Sequence, residues 1–305
     1  MKREGKVAYL FPGQGSQRVG MGKEVCYGFA TAREVFEEGD AVLGFPLSRI
    51  CFEGPEETLR QTINAQPAVL IVSVAYLKAL PEFLTNDIFP SFLAGHSLGE
   101  YTALVAAGAL SFADALLLTR ERGRLMQEAG ERFPGGMLAI IGLSKEVVEG
   151  VCQSSGVQIA NINSPQQIVI SGSAEALPRA AELAKVKGVK RVIPLEVSGA
   201  FHSPLMQSAA DGMSKFISET AFSEPLIPII ANTTARPIVE PEAVKEELVR
   251  QLCHCVQWHN SVEYMIDAGV STFIEIGPGR VLTGLTRQIN ERVEAINISE
   301  IIPRG

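Results

Sequence analysis

The chain has 305 residues, 46% of them hydrophobic, and a formal net charge of −7, which is enough length for one large domain or two modest ones. The acidic balance without long basic runs argues against nucleic acid as a main partner, and no apolar run approaches the ~20 residues of a membrane span. Five scattered cysteines favour reduced thiols over a disulfide framework. The N-terminal segment lacks the apolar core of a signal peptide, so we expect a cytoplasmic protein.

The first 80 residues alternate short apolar strands with segments of helical period. A strand is predicted at 7–10, followed by the glycine-rich loop 11–17, which contains Gln14. The spacing of this loop fits neither nucleotide-binding fingerprint. A plain turn between strand and helix and a loop whose amides bind a ligand both stay open. Helices are predicted at 22–43, from 55 onward and at 66–79.

The most informative motif is Gly-x-Ser-x-Gly at 95–99, centred on Ser97. The apolar residues 92–94 precede it, and the helical pattern of 100–107 follows. In that context a strand turns sharply into a helix, and this turn, called the elbow below, lifts the serine out of the sheet as a nucleophile. The alternative is a tight turn whose serine caps the helix. The motif and the alternating pattern predict an α/β fold with an α/β-hydrolase-like large subdomain and a parallel sheet.

A long helix is predicted from Ser111, which opens a sequence resembling a capping box, to residue 129. Arg122 lies on the apolar stripe of this helix, with Leu118 and Met126 four residues to either side. A buried guanidinium needs a partner, because an unpaired buried charge is costly. That partner is either an internal carboxylate or the carboxylate of a substrate, and the helix pattern does not choose between them.

A different pattern begins at the glycine pair 135–136. Its order, βαββαβ, is that of a ferredoxin-like unit. We therefore predict a ferredoxin-like small subdomain over 131–198, inserted into a large catalytic subdomain made of 1–130 and 199–305. The predicted elements are a strand (137–141), a helix (144–152), two strands (158–162 and 167–171), a helix (174–187) and a strand (190–195).

A nucleophilic serine needs a base, and the chain has four histidines. His202 precedes Ser203 and Pro204, which are typical first residues of the helix predicted to about 219. The positive end of that helix favours the neutral imidazole that a general base requires. His202 is thus the best placed, although it could also be a histidine packed in a loop. The others are His96 in the elbow, His254 in a helix predicted at 242–255, and His259 at another helix start.

The remaining C-terminal segments predict structure but no metal site. The residues 253–255 and His259 form a Cys-His-Cys…His group whose spacing fits no structural zinc template. A strand is predicted at 273–276 and ends in the glycine-containing turn 277–279. A helix is predicted at 280–289 and a last strand at 295–298.

Seven stretches, taken together and in this order, resemble the malonyl-CoA:acyl-carrier-protein transacylases, in their free-standing bacterial form. Each motif alone is modest, but the similarity covers nearly the whole chain. The stretches are 11–17, 95–100, 122–129, 161–165, 199–203, 256–258 and 275–279.

The resemblance implies a role for each residue of the reacting centre. Ser97 carries the malonyl ester, and His202 acts as its base. The backbone carbonyl of Gln257, rather than an aspartate, is expected to orient the histidine. The backbone N–H groups of Gln14 and Leu98 are expected to form the oxyanion hole.

The resemblance also implies how substrates bind. Arg122 pairs with the free carboxylate of malonate, Asn163 lies near the CoA cleft, and Phe201 favours malonyl over methylmalonyl groups. The implied reaction is ping-pong transfer from malonyl-CoA to the phosphopantetheine thiol of acyl carrier protein for fatty-acid biosynthesis, by a monomer without metal or redox cofactor. A polyketide-pathway acyltransferase and a serine hydrolase or thioesterase are the alternatives.

Overall fold

The computed structural model of the protein describes residues 5–83 and 89–302. Its strands are β1 (Lys6–Phe11), β2 (Phe92–Gly95), β3 (Gly135–Ile141), β4 (Gln158–Ser164), β5 (Gln167–Ser173), β6 (Arg191–Pro194), β7 (Ile229–Ile230), β8 (Pro237–Ile238), β9 (Val270–Glu275) and β10 (Glu294–Asn297). Its α-helices are α1 (Lys23–Gly28), α2 (Ala30–Leu43), α3 (Leu47–Glu53), α4 (Glu56–Arg60), α5 (Thr62–Phe83), α6 (Gly99–Ala106), α7 (Phe112–Arg132), α8 (Lys145–Ser155), α9 (Ala176–Val186), α10 (Gln207–Glu219), α11 (Pro241–Arg250), α12 (Trp258–Asp267) and α13 (Val281–Ile289).

The larger sheet has six strands in the order β10-β9-β1-β2-β7-β8. Every neighbouring pair is parallel except β7 and β8, which are antiparallel. The central strands β1 and β2 therefore end at the same edge, where ligands bind in open α/β sheets. The loop 11–17 and the elbow leave the sheet there side by side, joined by the bond from His96 N–H to Phe11 O at 3.0 Å.

The smaller sheet is fully antiparallel and has the strand order β4-β5-β3-β6. With α8 and α9 packed on its apolar face, this is the ferredoxin-like order. The predicted fold class, an α/β structure with a parallel sheet and a ferredoxin-like unit, is confirmed. The subdomain boundaries themselves stay a prediction.

Strand β4 of the smaller sheet also pairs with a segment outside that sheet. Ile162 N–H donates to Val256 O at 2.9 Å, and Val256 N–H donates to Ala160 O at 2.8 Å. This short parallel pairing places β4 beside the segment that joins α11 to α12. Residues of both sheets can therefore line one cleft.

Two predicted helices differ from the observed ones. The helix predicted at 22–43 is two helices, because Phe29 adopts an extended backbone between α1 and α2. The ring of Phe29 packs against Phe83, with centroids 5.2 Å apart. The helix predicted at 242–255 ends already at Arg250. The two-residue strands β7 and β8 were not predicted, since a pair of residues has no readable period.

The helix α5 runs through the core and is longer than predicted. Its 22 residues make it long and apolar enough to cross a membrane by length and composition, yet 83% of its most apolar window is buried inside the protein. Such burial is that of a core helix. Pro67, Lys78 and Pro81 interrupt its apolar sequence, which explains why no long run is visible there.

Candidate active site

Ser97 lies in the turn between β2 and α6, in a left-handed backbone conformation with φ of 52°. This conformation is strained for any residue but glycine and persists only when neighbouring groups hold it. Asn232 holds it here: its Oδ1 accepts from Ser97 N–H at 2.7 Å, and its Nδ2 donates to Gly95 O at 2.7 Å. The elbow predicted from the motif is therefore formed and clamped from outside.

The two glycines of the motif are required by close packing rather than by their own φ angles. A Cβ on Gly95 would lie 1.9 Å from the carbonyl carbon of Gly99. A Cβ on Gly99 would lie 2.1 Å from the carbonyl oxygen of Phe11. The first turn of α6 therefore touches the ends of both central strands, which sets the position of Ser97.

We expect Gly99→Ala to lower the free energy of unfolding by about 2–4 kcal/mol, because the added Cβ overlaps backbone atoms that cannot turn away. Gly150→Ala is the matched control, since nothing lies within 4 Å of a Cβ at that helical position, and it should stabilise by about 0.5–1 kcal/mol. Urea denaturation of both variants measures the difference. Equal stabilities would contradict the packing argument.

Ser97 and His202 are in hydrogen-bond contact, with Oγ 2.8 Å from Nε2. On the other side of the ring, Nδ1 lies 2.6 Å from the backbone oxygen of Gln251. A carbonyl only accepts, so Nδ1 carries the proton and the Nε2 lone pair faces the Ser97 hydroxyl. The pair has the geometry of a nucleophile and its general base.

The local sequence around His202 folds as expected. Ser203 Oγ accepts from Leu205 N–H at 3.3 Å and caps a short 3₁₀ turn, Pro204–Met206, that leads into α10. His202 itself has a left-handed φ of 56°. The histidine therefore sits at the start of a helix and is 4% exposed.

The role expected for Gln257 belongs to Gln251 instead. Gln257 begins α12, and its carbonyl already accepts from Ser261 N–H at 2.9 Å. Gln251 is the first residue beyond α11, so its carbonyl is free of the helix ladder and points at His202. The role that the resemblance implied for Gln257, from the stretch 256–258, is therefore wrong, because the helix before that stretch ends at Arg250 and leaves the carbonyl of Gln251 beside His202.

Burial of the imidazole, followed by the nearby charge of Arg122, lowers the pKa of His202 from 6.5 to about 3. The unfolded chain binds a proton on this histidine below about pH 6.5, whereas the folded protein does not. The contribution of neutral His202 to the free energy of unfolding is therefore complete above about pH 6.5 and is lost as the pH falls toward 3.

The same shift predicts a flat pH profile for the first chemical step. We expect the rate of CoA release in a single turnover to stay level from about pH 8 to about pH 5 and to decline only toward about pH 3, because the base stays neutral throughout. Rapid-quench measurements across this range test it. A midpoint near the ordinary histidine pKa of 6.5 would show that His202 is not the buried base described here.

Arg122 is 1% exposed and lies beside the nucleophile. Its Nη1 donates to Gln66 Oε1 at 2.7 Å, and its Nη2 donates to Gln251 Oε1 at 2.8 Å and to Ser97 Oγ at 3.1 Å. Within the described part of the chain, no carboxylate lies within 4.0 Å of the guanidinium. The alternative of a direct internal ion pair is thus not what the fold provides.

A cavity of about 420 Å³ opens over this group. Gln14 and Asn163 both line it: Gln14 Nε2 donates to Thr62 Oγ1 at 3.2 Å, and Asn163 Oδ1 lies 2.9 Å from His96 Nε2. Leu98 follows Ser97 at the start of α6, where a helix leaves its first N–H groups without intrahelical partners. Of the predicted site residues, the structure brings together on the cavity wall Ser97, His202, Arg122, Gln14, Asn163 and Phe201.

The histidines and cysteines near residue 255 have separate partners. His254 Nδ1 lies 2.8 Å from Arg250 O, and His259 Nε2 lies 3.2 Å from Glu263 Oε1. Across 5–83 and 89–302, no three side chains of His, Cys, Asp or Glu gather as a metal-binding group.

Three site residues were missed by reading the sequence. Gln66 is a buried amide near the start of an apolar helix, and Gln251 is a buried amide just before Leu252; such amides are a usable signal because buried polar groups require partners. Asn232 lies in an irregular segment with no motif, and nothing in the sequence singles it out.

The chain was compared with known proteins. The family described as "Acyl transferase domain" matches residues 8–304. The malonyl CoA-acyl carrier protein transacylase of Bacillus subtilis (strain 168) is 47% identical over 300 residues, which cover 97% of this chain and 94% of the relative. The solved acyl-carrier-protein-S-malonyltransferase of Bartonella henselae superposes with a TM-score of 0.92 at 44% identity, covering 96% of this chain and 95% of that one.

A further solved structure contains a type II PKS acyl-carrier protein in complex with its malonyl-transacylase. It has a TM-score of 0.91 and 41% identity, covering 96% of this chain and 94% of that one. The parallel sheet, the serine elbow and these matches define an acyltransferase. Within that class, the chain belongs to the malonyl-CoA:acyl-carrier-protein transacylase family, which confirms the resemblance read from the seven stretches.

Proposed function

We propose that this chain transfers the malonyl group from malonyl-CoA to the phosphopantetheine thiol of acyl carrier protein, supplying extender units for fatty-acid biosynthesis. The observation that carries the proposal is the buried guanidinium of Arg122, which has no carboxylate partner among the described residues and lies 3.1 Å from Ser97 Oγ. A buried cation beside a nucleophile fits an acyl group that ends in its own carboxylate.

The reaction runs in two half-reactions. His202 Nε2 takes the proton of Ser97 as Oγ attacks the thioester carbonyl of malonyl-CoA. The oxyanion is stabilised by the N–H groups of Gln14 and Leu98, each worth about 3 kcal/mol. The carbon–sulfur bond then breaks, and CoA leaves as a thiol with the proton from His202. In the second half, His202 deprotonates the carrier's thiol, which attacks the malonyl ester; the bond from the acyl carbon to Ser97 Oγ breaks, and Oγ takes the proton back from His202.

Gln251 supports both halves of this scheme. Its backbone oxygen holds the proton on Nδ1 of His202, which keeps Nε2 available as a base. Its side chain fixes Arg122, which is then ready to bind the malonyl carboxylate through its N–H groups. The site thus supplies nucleophile, base and anion-binding group from the chain itself, and we infer that no metal or redox cofactor takes part.

The proposal is tested by intact-protein mass spectrometry after separate exposure to malonyl-CoA, methylmalonyl-CoA and acetyl-CoA. We expect a malonyl mass increment on Ser97 that disappears when the phosphopantetheinylated carrier protein is added. A serine hydrolase would instead release free CoA at the same rate with and without carrier protein. Failure to acylate Ser97 with malonyl-CoA would overturn the proposal.

A polyketide-pathway role is the second candidate, because one solved relative was captured with a type II PKS acyl-carrier protein. Transfer rates to a fatty-acid carrier and to a polyketide carrier distinguish the two. We further propose that the protein is a cytoplasmic monomer. The free and buried thiols of Cys26, Cys51 and Cys152 fit a reducing compartment.

A further inference from the structure

Glu100 lies three residues after Ser97, in the first turn of α6, and its side chain is completely buried. The mechanism above does not use it. Its Oε1 accepts from the backbone N–H of Asn232 at 3.0 Å, and its Oε2 accepts from Nε2 of Gln251. A buried carboxylate that touches neither substrate nor nucleophile needs another explanation, because burying it is costly.

Both partners of Glu100 hold reacting groups. Asn232 clamps the strained turn at Ser97 through its side chain. Gln251 holds His202 through its backbone oxygen and Arg122 through its side-chain oxygen. One carboxylate thus joins, each through a single residue, the nucleophile, the base and the anion-binding group.

The donors of Arg122 fix the orientation of the Gln251 amide. Arg122 has donors only, so the Gln251 amide must present its oxygen to Arg122 and its NH₂ group to Glu100. Both oxygens of Glu100 then accept from N–H donors, which is the arrangement of an ionised carboxylate. Burial, followed by the neighbouring Glu247 carboxyl, raises the pKa of Glu100 well above its usual value, and the donors from Asn232 and Gln251 offset only part of this rise.

The amide of Gln251 keeps the negative charge one residue away from Arg122. A carboxylate in direct contact would occupy the N–H groups of the guanidinium that a substrate carboxylate needs. An amide oxygen, by contrast, accepts one hydrogen bond without forming an ion pair. The buried cation is therefore balanced at a distance while it stays open to an incoming anion.

We propose that Glu100 is a positioning residue for malonyl selectivity, which orients the Gln251 amide and so holds Arg122 ready for the substrate's carboxylate. This inference rests on the proposed function, because it assigns a selectivity role within the same reaction. It also predicts that the location of the negative charge matters, in addition to its presence.

Glu100→Gln is the first test. The new side chain keeps its oxygen on the backbone N–H of Asn232, which cannot turn, so its NH₂ meets the NH₂ of Gln251. The Gln251 amide turns over and faces Arg122 with a donor. We expect the malonyl-to-acetyl ratio of kcat/KM to fall about 10- to 100-fold, mainly through a higher KM for malonyl-CoA.

The double variant Glu100→Gln with Gln251→Glu is the second test. It reverses the hydrogen bonds, because the new amide at position 100 donates to the new carboxylate at position 251, which accepts from Arg122. The total charge is unchanged. We expect the melting temperature and the acetylation of Ser97 to recover relative to the single variant. The malonyl preference should stay low, because the carboxylate now forms a direct ion pair with Arg122.

Glu247→Gln is the matched control. Glu247 is also buried and bonds Thr233 N–H at 2.7 Å, yet neither carboxylate oxygen bonds the side chains of Gln251 or Arg122. It should lower the melting temperature and leave the malonyl-to-acetyl ratio unchanged.

The results separate this inference from the proposed function. Wild-type protein that gains no malonyl mass refutes the proposed function itself. Wild-type protein that does gain it, together with a Glu100→Gln ratio within about twofold of wild type, overturns the role of Glu100. Full recovery of the malonyl preference in the double variant would overturn the requirement for charge separation.

Discussion

Exchange of Ser97 for alanine is expected to remove the malonyl-enzyme and to lower malonyl transfer about 10⁴-fold or more. The reason is that Ser97 Oγ, 2.8 Å from His202 Nε2, is the nucleophile that this base activates. The remaining groups still bind substrate but cannot form the covalent ester. Intact-protein mass spectrometry and a carrier-protein transfer assay measure both consequences.

The control for this variant is Ser155→Ala. Ser155 is a buried serine that donates to Val151 O at 2.6 Å, but it lies in α8, on the smaller sheet. It should keep full activity, while Ser97→Ala should keep the fold, because serine already carries the strain of the left-handed turn, about 1–3 kcal/mol, and alanine carries a similar strain. A malonyl mass increment on the Ser97→Ala protein would mean that the acyl group is carried elsewhere.

Exchange of Arg122 for alanine has the second largest expected effect. We expect kcat/KM for malonyl-CoA to fall about 100-fold or more, while acetyl transfer remains detectable. In this variant the malonyl carboxylate would enter the cavity without its cation. The amide oxygens of Gln66 and Gln251 would also lose the donor that Arg122 supplies. An acetyl group has no charge to lose there.

Arg124→Ala is the matched control on the same helix. Arg124 is 40% exposed and pairs with Glu121 and Glu128 at the surface, where ion pairs contribute little. Its removal should leave both substrates unaffected. An Arg122→Ala protein with unchanged malonyl preference would refute the assignment of Arg122 to the malonyl carboxylate.

Features that depend only on neighbouring residues could be predicted from the sequence. The elbow follows from glycine spacing between an apolar strand and a helix, and the ferredoxin-like unit follows from the alternation of strand and helix periods. Arg122 was found because a cation on an apolar stripe violates the pattern. His202 was found because Ser203 and Pro204 mark a helix start behind it.

Features that depend on contacts between distant segments were not predictable. Gln251 and Gln257 are both glutamines near a helix end, and only the exact last turn of α11 decides which carbonyl is free. The periodicity of 242–255 continues past Arg250, so no local pattern marks that end. Asn232 acts on a turn 135 residues away, and such a contact leaves no trace in the neighbouring sequence.

The left-handed backbone of Ser97 has a consequence for protein engineering. Glycine at position 97 would relax a strained φ and raise the free energy of unfolding, while removing the nucleophile that the reaction needs. Selection for heat resistance alone would therefore enrich inactive proteins at this position. Stabilising changes should be sought at positions such as Gly150, where strain and activity are not linked, so that the trade-off between stability and turnover is avoided.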